Sequence, residues 1–171
     1  MCADIICHPK PYSDVLFRTA WIYFIASVYG LYKKKYDLAT YTGAVWLTSI
    51  NYWKNPKSLF NYYIDITTVR SGIIYHLIRA QDSSNYVKFY TIFNTGLLCY
   101  IPSRYCLNQK NYILSTVSHA GLHLITGVGL IYLYSTKMTP LSKTYLLHYY
   151  SLLSKPFYKF MERGFTYFQQ M

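Results

Sequence analysis

The segment at residues 115–134, STVSHAGLHLITGVGLIYLY, has no Asp, Glu, Lys or Arg in 20 consecutive residues. A helix of roughly 20 apolar residues is long enough to cross the hydrocarbon core of a bilayer. The sequence therefore predicts a membrane-spanning helix here. The segment also contains His119 and His123, one helical turn apart, which a helix that only spans a membrane does not need.

Four further apolar stretches lie before this segment, and each is followed by a polar break. The breaks are short, so we expect successive helices to be antiparallel neighbours. The prediction is an all-α, multi-pass transmembrane helical bundle of about five membrane helices within residues 1–138. The predicted spans are residues 15–32, 38–53, 58–80, 86–101 and 111–134, with the fourth ended by Pro102.

Residues 139–171 have a different character, since aromatic and aliphatic side chains alternate with basic ones. This pattern predicts an amphipathic basic C-terminal segment that lies on the membrane surface. A sixth, short membrane helix after Pro140 is the alternative. Basic residues in this segment and after the first span are predicted to contact lipid headgroups: Lys33, Lys34, Lys35, Lys155, Lys159 and Arg163.

Only 13% of the residues are charged, against about 25% in an ordinary soluble domain. We therefore expect lipid to cover much of the surface. The net charge of +11 comes from basic residues that lie mostly between apolar runs, which favours anionic lipid over nucleic acid. No basic start and apolar core of a cleavable signal peptide precede the first span. We expect an intracellular membrane, either the mitochondrial inner membrane or the endoplasmic reticulum.

Ionisable groups at membrane depth are costly and tend to mark function. His119 and His123 are at i and i+4, about 6 Å apart on one helical face, where two imidazoles can bind one metal ion. Hydrogen bonding to neighbouring helices, or a position near a polar boundary, is the structural alternative for this pair. Asp65 needs a partner, and Arg70 at i+5 points about 140° away, so we expect that partner on another helix. His76 is expected to be a boundary residue near Arg79.

The chain has a Ser on the second predicted helix (Ser49), an Asp on the third (Asp65), and HxxxH on the last. This order resembles the CREST superfamily of membrane hydrolases, which includes alkaline ceramidases and adiponectin-receptor-like proteins. The resemblance covers four positions over about half of the chain. The family has a His four residues after the Ser, where this chain has Trp53, and it has seven membrane helices.

The resemblance implies a zinc ion held by His119 and His123, with a third ligand from Asp65 or His76. It implies that a zinc-bound water attacks a lipid amide or ester. Asp65, where it is not a ligand, would take the proton of that water. Ser49 would hydrogen-bond the water or the developing oxyanion.

The incomplete motif leaves several functions open. We expect a non-catalytic integral membrane protein that acts through helix and lipid contacts, such as an accessory subunit of a large membrane complex. Its partners would be membrane lipids and other membrane protein subunits. The alternative is a zinc-dependent membrane lipid hydrolase of CREST type, or its inactive relative. A third hypothesis is haem binding between His76 and either His119 or His123.

Overall fold

A computed structural model describes residues 8–139, in which the chain forms seven α-helices and no strand. One residue, Ala20, separates the first two helices, and one residue, Cys99, separates the fifth from the sixth. The described chain therefore has five helical segments, and the all-α prediction is confirmed. The helices are α1 Lys10–Thr19, α2 Trp21–Tyr32, α3 Tyr36–Lys54, α4 Leu59–Ala80, α5 Tyr86–Leu98, α6 Tyr100–Asn108 and α7 Tyr112–Ser135.

The predicted basic surface segment falls almost wholly on residues 140–171, which lie outside the described residues. Its predicted headgroup contacts, Lys155, Lys159 and Arg163, and the alternative of a sixth membrane helix therefore stay predictions.

The fourth helical segment extends beyond its predicted end at Pro102. This proline is the third residue of α6, which continues to Asn108. The first four N–H groups of a helix have no partner within that helix. A proline in this position therefore costs α6 little, and the helix passes through it.

Two of the five segments, Lys10–Tyr32 and Tyr112–Ser135, are long and apolar enough to cross a membrane. The other three do not reach that standard, so five membrane spans are not confirmed. α4 shows the physical reason most clearly, since Asp65, Arg70 and Arg79 interrupt its apolar character.

The bundle is arranged around α7, which packs against α1, α2, α5 and α6. α3 packs against α1, α2 and α4. α4 rests mainly on α3 and has only a small contact with α5. The helix α4 is therefore held mainly by α3.

Small residues allow the closest helix contacts. A Cβ atom on Gly96 of α5 would lie 2.8 Å from the backbone nitrogen of Thr126 on α7. A Cβ atom on Gly127 would collide with the side chain of Ile22 on α2. These two glycines therefore let α5 and α2 approach α7 from different sides.

An ion-pair cluster joins α3 to α4 at the end of the bundle near the α2–α3 turn. Asp37 accepts hydrogen bonds from Arg79 Nε at 3.0 Å and from the Tyr75 hydroxyl at 2.8 Å, and Arg79 also pairs with Asp82. Burial of the Asp37 carboxyl raises its pKa, but the hydrogen bonds from Arg79 and Tyr75 and the Arg79 charge outweigh burial. The pKa of Asp37 therefore lies below its ordinary value.

Candidate functional site

A cavity of about 310 Å³ lies inside the bundle, lined by side chains from α2 to α7 and by His8. All four positions of the predicted motif, Ser49, Asp65, His119 and His123, line this one cavity. Residues from three different helices thus meet at a single site, although 74 residues separate the first from the last in the chain.

Ser49 and Asp65 are directly bonded across the α3–α4 hairpin. The Ser49 hydroxyl donates to Asp65 Oδ1 at 2.7 Å, and the Thr48 hydroxyl donates to the same oxygen at 3.0 Å. The hairpin is closed by Ser58, whose side chain accepts from the backbone N–H of Asn61 and caps α4. The partner of Asp65 lies on another helix, as its spacing from Arg70 predicted.

The two histidines of α7 are held in similar ways. Their ring centroids are 5.0 Å apart. His119 Nδ1 is 3.1 Å from the Ser103 hydroxyl, and His123 Nδ1 is 2.9 Å from the Thr19 hydroxyl. Because Nδ1 of each ring is engaged in this way, Nε2 is the nitrogen that, among the described contacts, is available to a ligand.

Trp53 packs against both of these rings. Its centroid lies 5.1 Å from that of His119 and 6.3 Å from that of His123, and only 4% of the residue is exposed. An indole offers one N–H donor and no lone pair for a metal ion. Trp53 therefore occupies the space beside the histidine pair without supplying a ligand.

The described residues do not complete a zinc site. Structural zinc sites use four protein ligands and catalytic ones use three. Among residues 8–139 no group of three or more His, Cys, Asp or Glu side chains is placed to hold one metal ion. His119 and His123 alone do not meet this requirement, and zinc binding stays a prediction.

His8 is a site residue that sequence reasoning missed. Its ring is 6.3 Å from that of His119 and 5.7 Å from that of Trp53, and its Nε2 is 2.9 Å from the Ser115 hydroxyl. Burial, with a smaller contribution from the Arg104 charge, lowers the pKa of His8 to about 4. Over a hundred residues separate His8 from its partners on α7, so no local spacing pattern signals this contact.

His76 is buried, with only 2% of it exposed, and it lines the cavity, whereas its predicted place at a membrane boundary stays a prediction. Its Nδ1 lies 2.7 Å from the Gly72 carbonyl oxygen, which only accepts, so Nδ1 carries the proton. Its Nε2 then accepts from a hydroxyl, that of Tyr134 at 2.8 Å or that of Thr42 at 3.2 Å, and these two hydroxyls lie 2.6 Å apart. Both nitrogens are engaged, which disfavours the hypothesis of a haem ligand.

The predicted headgroup lysines of the described chain lie at the turn between α2 and α3. Lys33 and Lys34 are exposed, and Lys34 has a positive φ of 59°. The Lys33 ammonium lies over the rings of Tyr29 and Tyr32, 5.5 and 5.3 Å from their centroids. Lys35 is half-buried. This turn is well separated in sequence from the motif residues that line the cavity.

Neither protein-family models, curated proteins nor solved structures match the chain. The cavity and the outer surface of the bundle are therefore the features that indicate a function.

Proposed function

We propose that the chain is a non-catalytic, multi-pass membrane protein that binds a lipid in the cavity between α4 and the α5–α6 segment. The observation that carries this proposal is the cavity itself. Its wall includes apolar side chains from four helices: Val45, Ile73, Leu97, Leu122 and Leu130. Cavities of this kind, apolar with a few convergent polar groups, are typical ligand sites.

We infer that the cavity opens laterally between α4 and α6. Arg70 on α4 and Tyr100 on α6 both line it and are themselves exposed. The contact between α4 and α5 is small, so an acyl chain can enter from the side of the bundle. This is the direction from which a bilayer lipid would arrive.

The outer faces of the long apolar helices support a membrane location. On α2, Ile25 is 55% exposed, and on α7, Val117 and Val128 are 62% and 53% exposed. Large apolar side chains in contiguous exposed stripes mark surfaces that lipid or a partner covers. We propose that all five helical segments cross the membrane, and that other membrane subunits contact these stripes.

We propose a non-catalytic function because of the position of Trp53. The indole lies against both histidines of α7, where the resemblance to the CREST superfamily calls for a third histidine. The hydrogen-bonded Ser49–Asp65 pair then serves as a polar anchor on the cavity wall rather than as part of a reaction.

Filling the cavity tests the proposal. Leu97 lines the cavity, whereas the adjacent Leu98 is 62% exposed on the outside of α5. The full chain purified in mild detergent should carry co-purified lipid, measured by mass spectrometry. Leu97→Trp should lose most of it, and Leu98→Trp should retain it, with circular dichroism confirming that both variants are folded. Equal lipid in the two variants, or none in the parent chain, contradicts the proposal.

A zinc-dependent lipid amide or ester hydrolase is the second candidate. One observation favours it: the Nδ1 atoms of His119 and His123 are both engaged by hydroxyl groups, which orients their Nε2 atoms. This function requires a third ligand that the described residues do not place at the pair. Zinc analysis of the purified chain tests it, and about one zinc per chain, lost in the His119→Ala/His123→Ala double variant, would support it over the first proposal.

A further inference from the structure

Two arginines, Arg70 and Arg104, line the cavity. Among residues 8–139 neither guanidinium forms an ion pair. Within the same part of the chain, Asp65 is the one carboxylate on the cavity wall, and it is bonded to Thr48 and Ser49. Within residues 8–139 the cavity wall therefore has more positive than negative charge, and no carboxylate of these residues pairs with either guanidinium.

The backbone of Arg104 lies next to the histidine end of the cavity. Its neighbour Ser103 contacts His119 through its hydroxyl, and the Ser103 carbonyl accepts a 2.8 Å hydrogen bond from Ser115. These bonds hold this turn of α6 against α7. Arg104 and His8 both line the cavity.

Arg70 is placed at the lateral opening. It follows Asp65 by five residues on α4, about 7.5 Å along the helix axis. Its side chain is exposed and lines the cavity. An unpaired guanidinium at membrane depth is costly, and a bound anion reduces that cost.

Arginine forms a planar fork of donors that matches phosphate and carboxylate groups. Arg104 is half-buried in the cavity, unlike Lys33 and Lys34, which are exposed at a turn. A volume of about 310 Å³ is at the lower end of the roughly 300–1,000 Å³ of ligand pockets, which suits one chain and not two.

We propose that the cavity selects a lipid with an oxyanionic headgroup, a phosphate or a carboxylate, which Arg104 holds and Arg70 approaches, and that one acyl chain lies on the apolar wall. This inference rests on the proposed lipid-binding function and adds the charge class of the ligand to it.

The experiment compares ligands that share one acyl chain. The full chain in mild detergent is titrated with lysophosphatidic acid, the matching free fatty acid, the matching neutral monoacylglycerol and inorganic phosphate. We expect at least one anionic lipid to bind about tenfold or more tightly than the monoacylglycerol. The two anionic lipids distinguish a phosphate headgroup from a carboxylate.

Variants locate the charge that selects the headgroup. Arg104→Gln should weaken the binding of the anionic lipid about tenfold and leave the affinity for the monoacylglycerol unchanged. Arg70→Gln should act in the same direction with a smaller effect. Arg18→Gln is the matched control, since Arg18 is exposed on α1 and does not line the cavity.

Each contrary result has a separate meaning. Equal binding of neutral and anionic lipid by the parent chain overturns the charge selection and leaves the lipid-binding function standing. Binding of none of the lipids overturns both. Inorganic phosphate binding as tightly as lysophosphatidic acid overturns the role of the acyl chain. The comparison of ligands on the parent chain decides the charge question even where a variant does not fold.

Discussion

The hydroxyl of Ser49 donates a 2.7 Å hydrogen bond to Oδ1 of Asp65, and this bond joins α3 to α4 at the cavity wall. We expect Ser49→Ala to lower the free energy of unfolding by about 1–3 kcal/mol, because the half-buried Asp65 carboxylate loses one of its two hydroxyl donors. Chemical unfolding in detergent, followed by circular dichroism, measures this change.

Thr40→Ala is the control for this variant. Thr40 is exposed, and its hydroxyl donates only to the Tyr36 carbonyl of its own helix. Its loss should change the free energy of unfolding by no more than about 0.5 kcal/mol. Equal effects of the two substitutions would show that the Ser49–Asp65 bond does not stabilise the hairpin.

The hairpin also shows what the sequence can predict here. The helical segments follow from runs of apolar residues, and a partner for Asp65 on another helix follows from the angular offset of Arg70. The contact of His8 with His119 and the burial of His76 were not predictable, because they depend on the packing of distant helices around α7. Local periodicity contains no information about which helix faces which.

Arg104 illustrates the same limit in a different way. A basic residue between apolar stretches is typical of a loop or of a membrane boundary. Its position on the cavity wall depends on the continuation of α6 through Pro102, whereas the sequence predicts that the helix ends there.

The Asp37–Arg79 ion pair predicts how stability depends on pH. The pKa of Asp37 is lower in the folded chain than its ordinary value, so the pair stabilises the fold fully above the unfolded pKa of about 3.9. The stabilisation is lost as the pH falls through the folded pKa. We expect the melting temperature to fall below about pH 4 and to be less pH-dependent in Asp37→Asn.

Asp14→Asn is the control for the pH series. Asp14 forms an ion pair with Lys10 whose side chains are 47% and 67% exposed, and exposed pairs contribute little. The pH profile of this variant should match that of the parent. An Asp37→Asn chain that melts with the parent's profile would show that the cluster does not cause the acid sensitivity.

At Gly127, α2 and α7 pack too closely for a larger residue. A Cβ atom there would lie 2.8 Å from Ile22 Cγ2, which is too close for an ordinary contact. We expect Gly127→Ala to lower the free energy of unfolding by about 1–3 kcal/mol, despite the better helix propensity of alanine. Gly121→Ala is the matched control on the same helix, because its new Cβ would lie 3.6 Å from Cys99 Sγ. A thermal shift in the same direction and of similar size for both variants would contradict this packing argument.

A substitution at Trp53 distinguishes the two candidate functions. Replacing its indole by imidazole places a third histidine beside two rings whose centroids are 5.1 and 6.3 Å from that of the indole. Three histidines are a known ligand set for zinc. We expect Trp53→His to bind about one zinc per chain and to melt at a higher temperature with zinc present, because a ligand that binds only the folded state stabilises it.

The matched control is Trp46→His, since Trp46 packs against Trp21 and Phe24 and does not line the cavity. Zinc binding by Trp53→His should disappear when His123→Ala is added. If Trp46→His binds zinc equally well, the binding does not come from the histidine pair. If the parent chain already binds one zinc as tightly as Trp53→His, the indole does not block the site, and the hydrolase becomes the better of the two proposals.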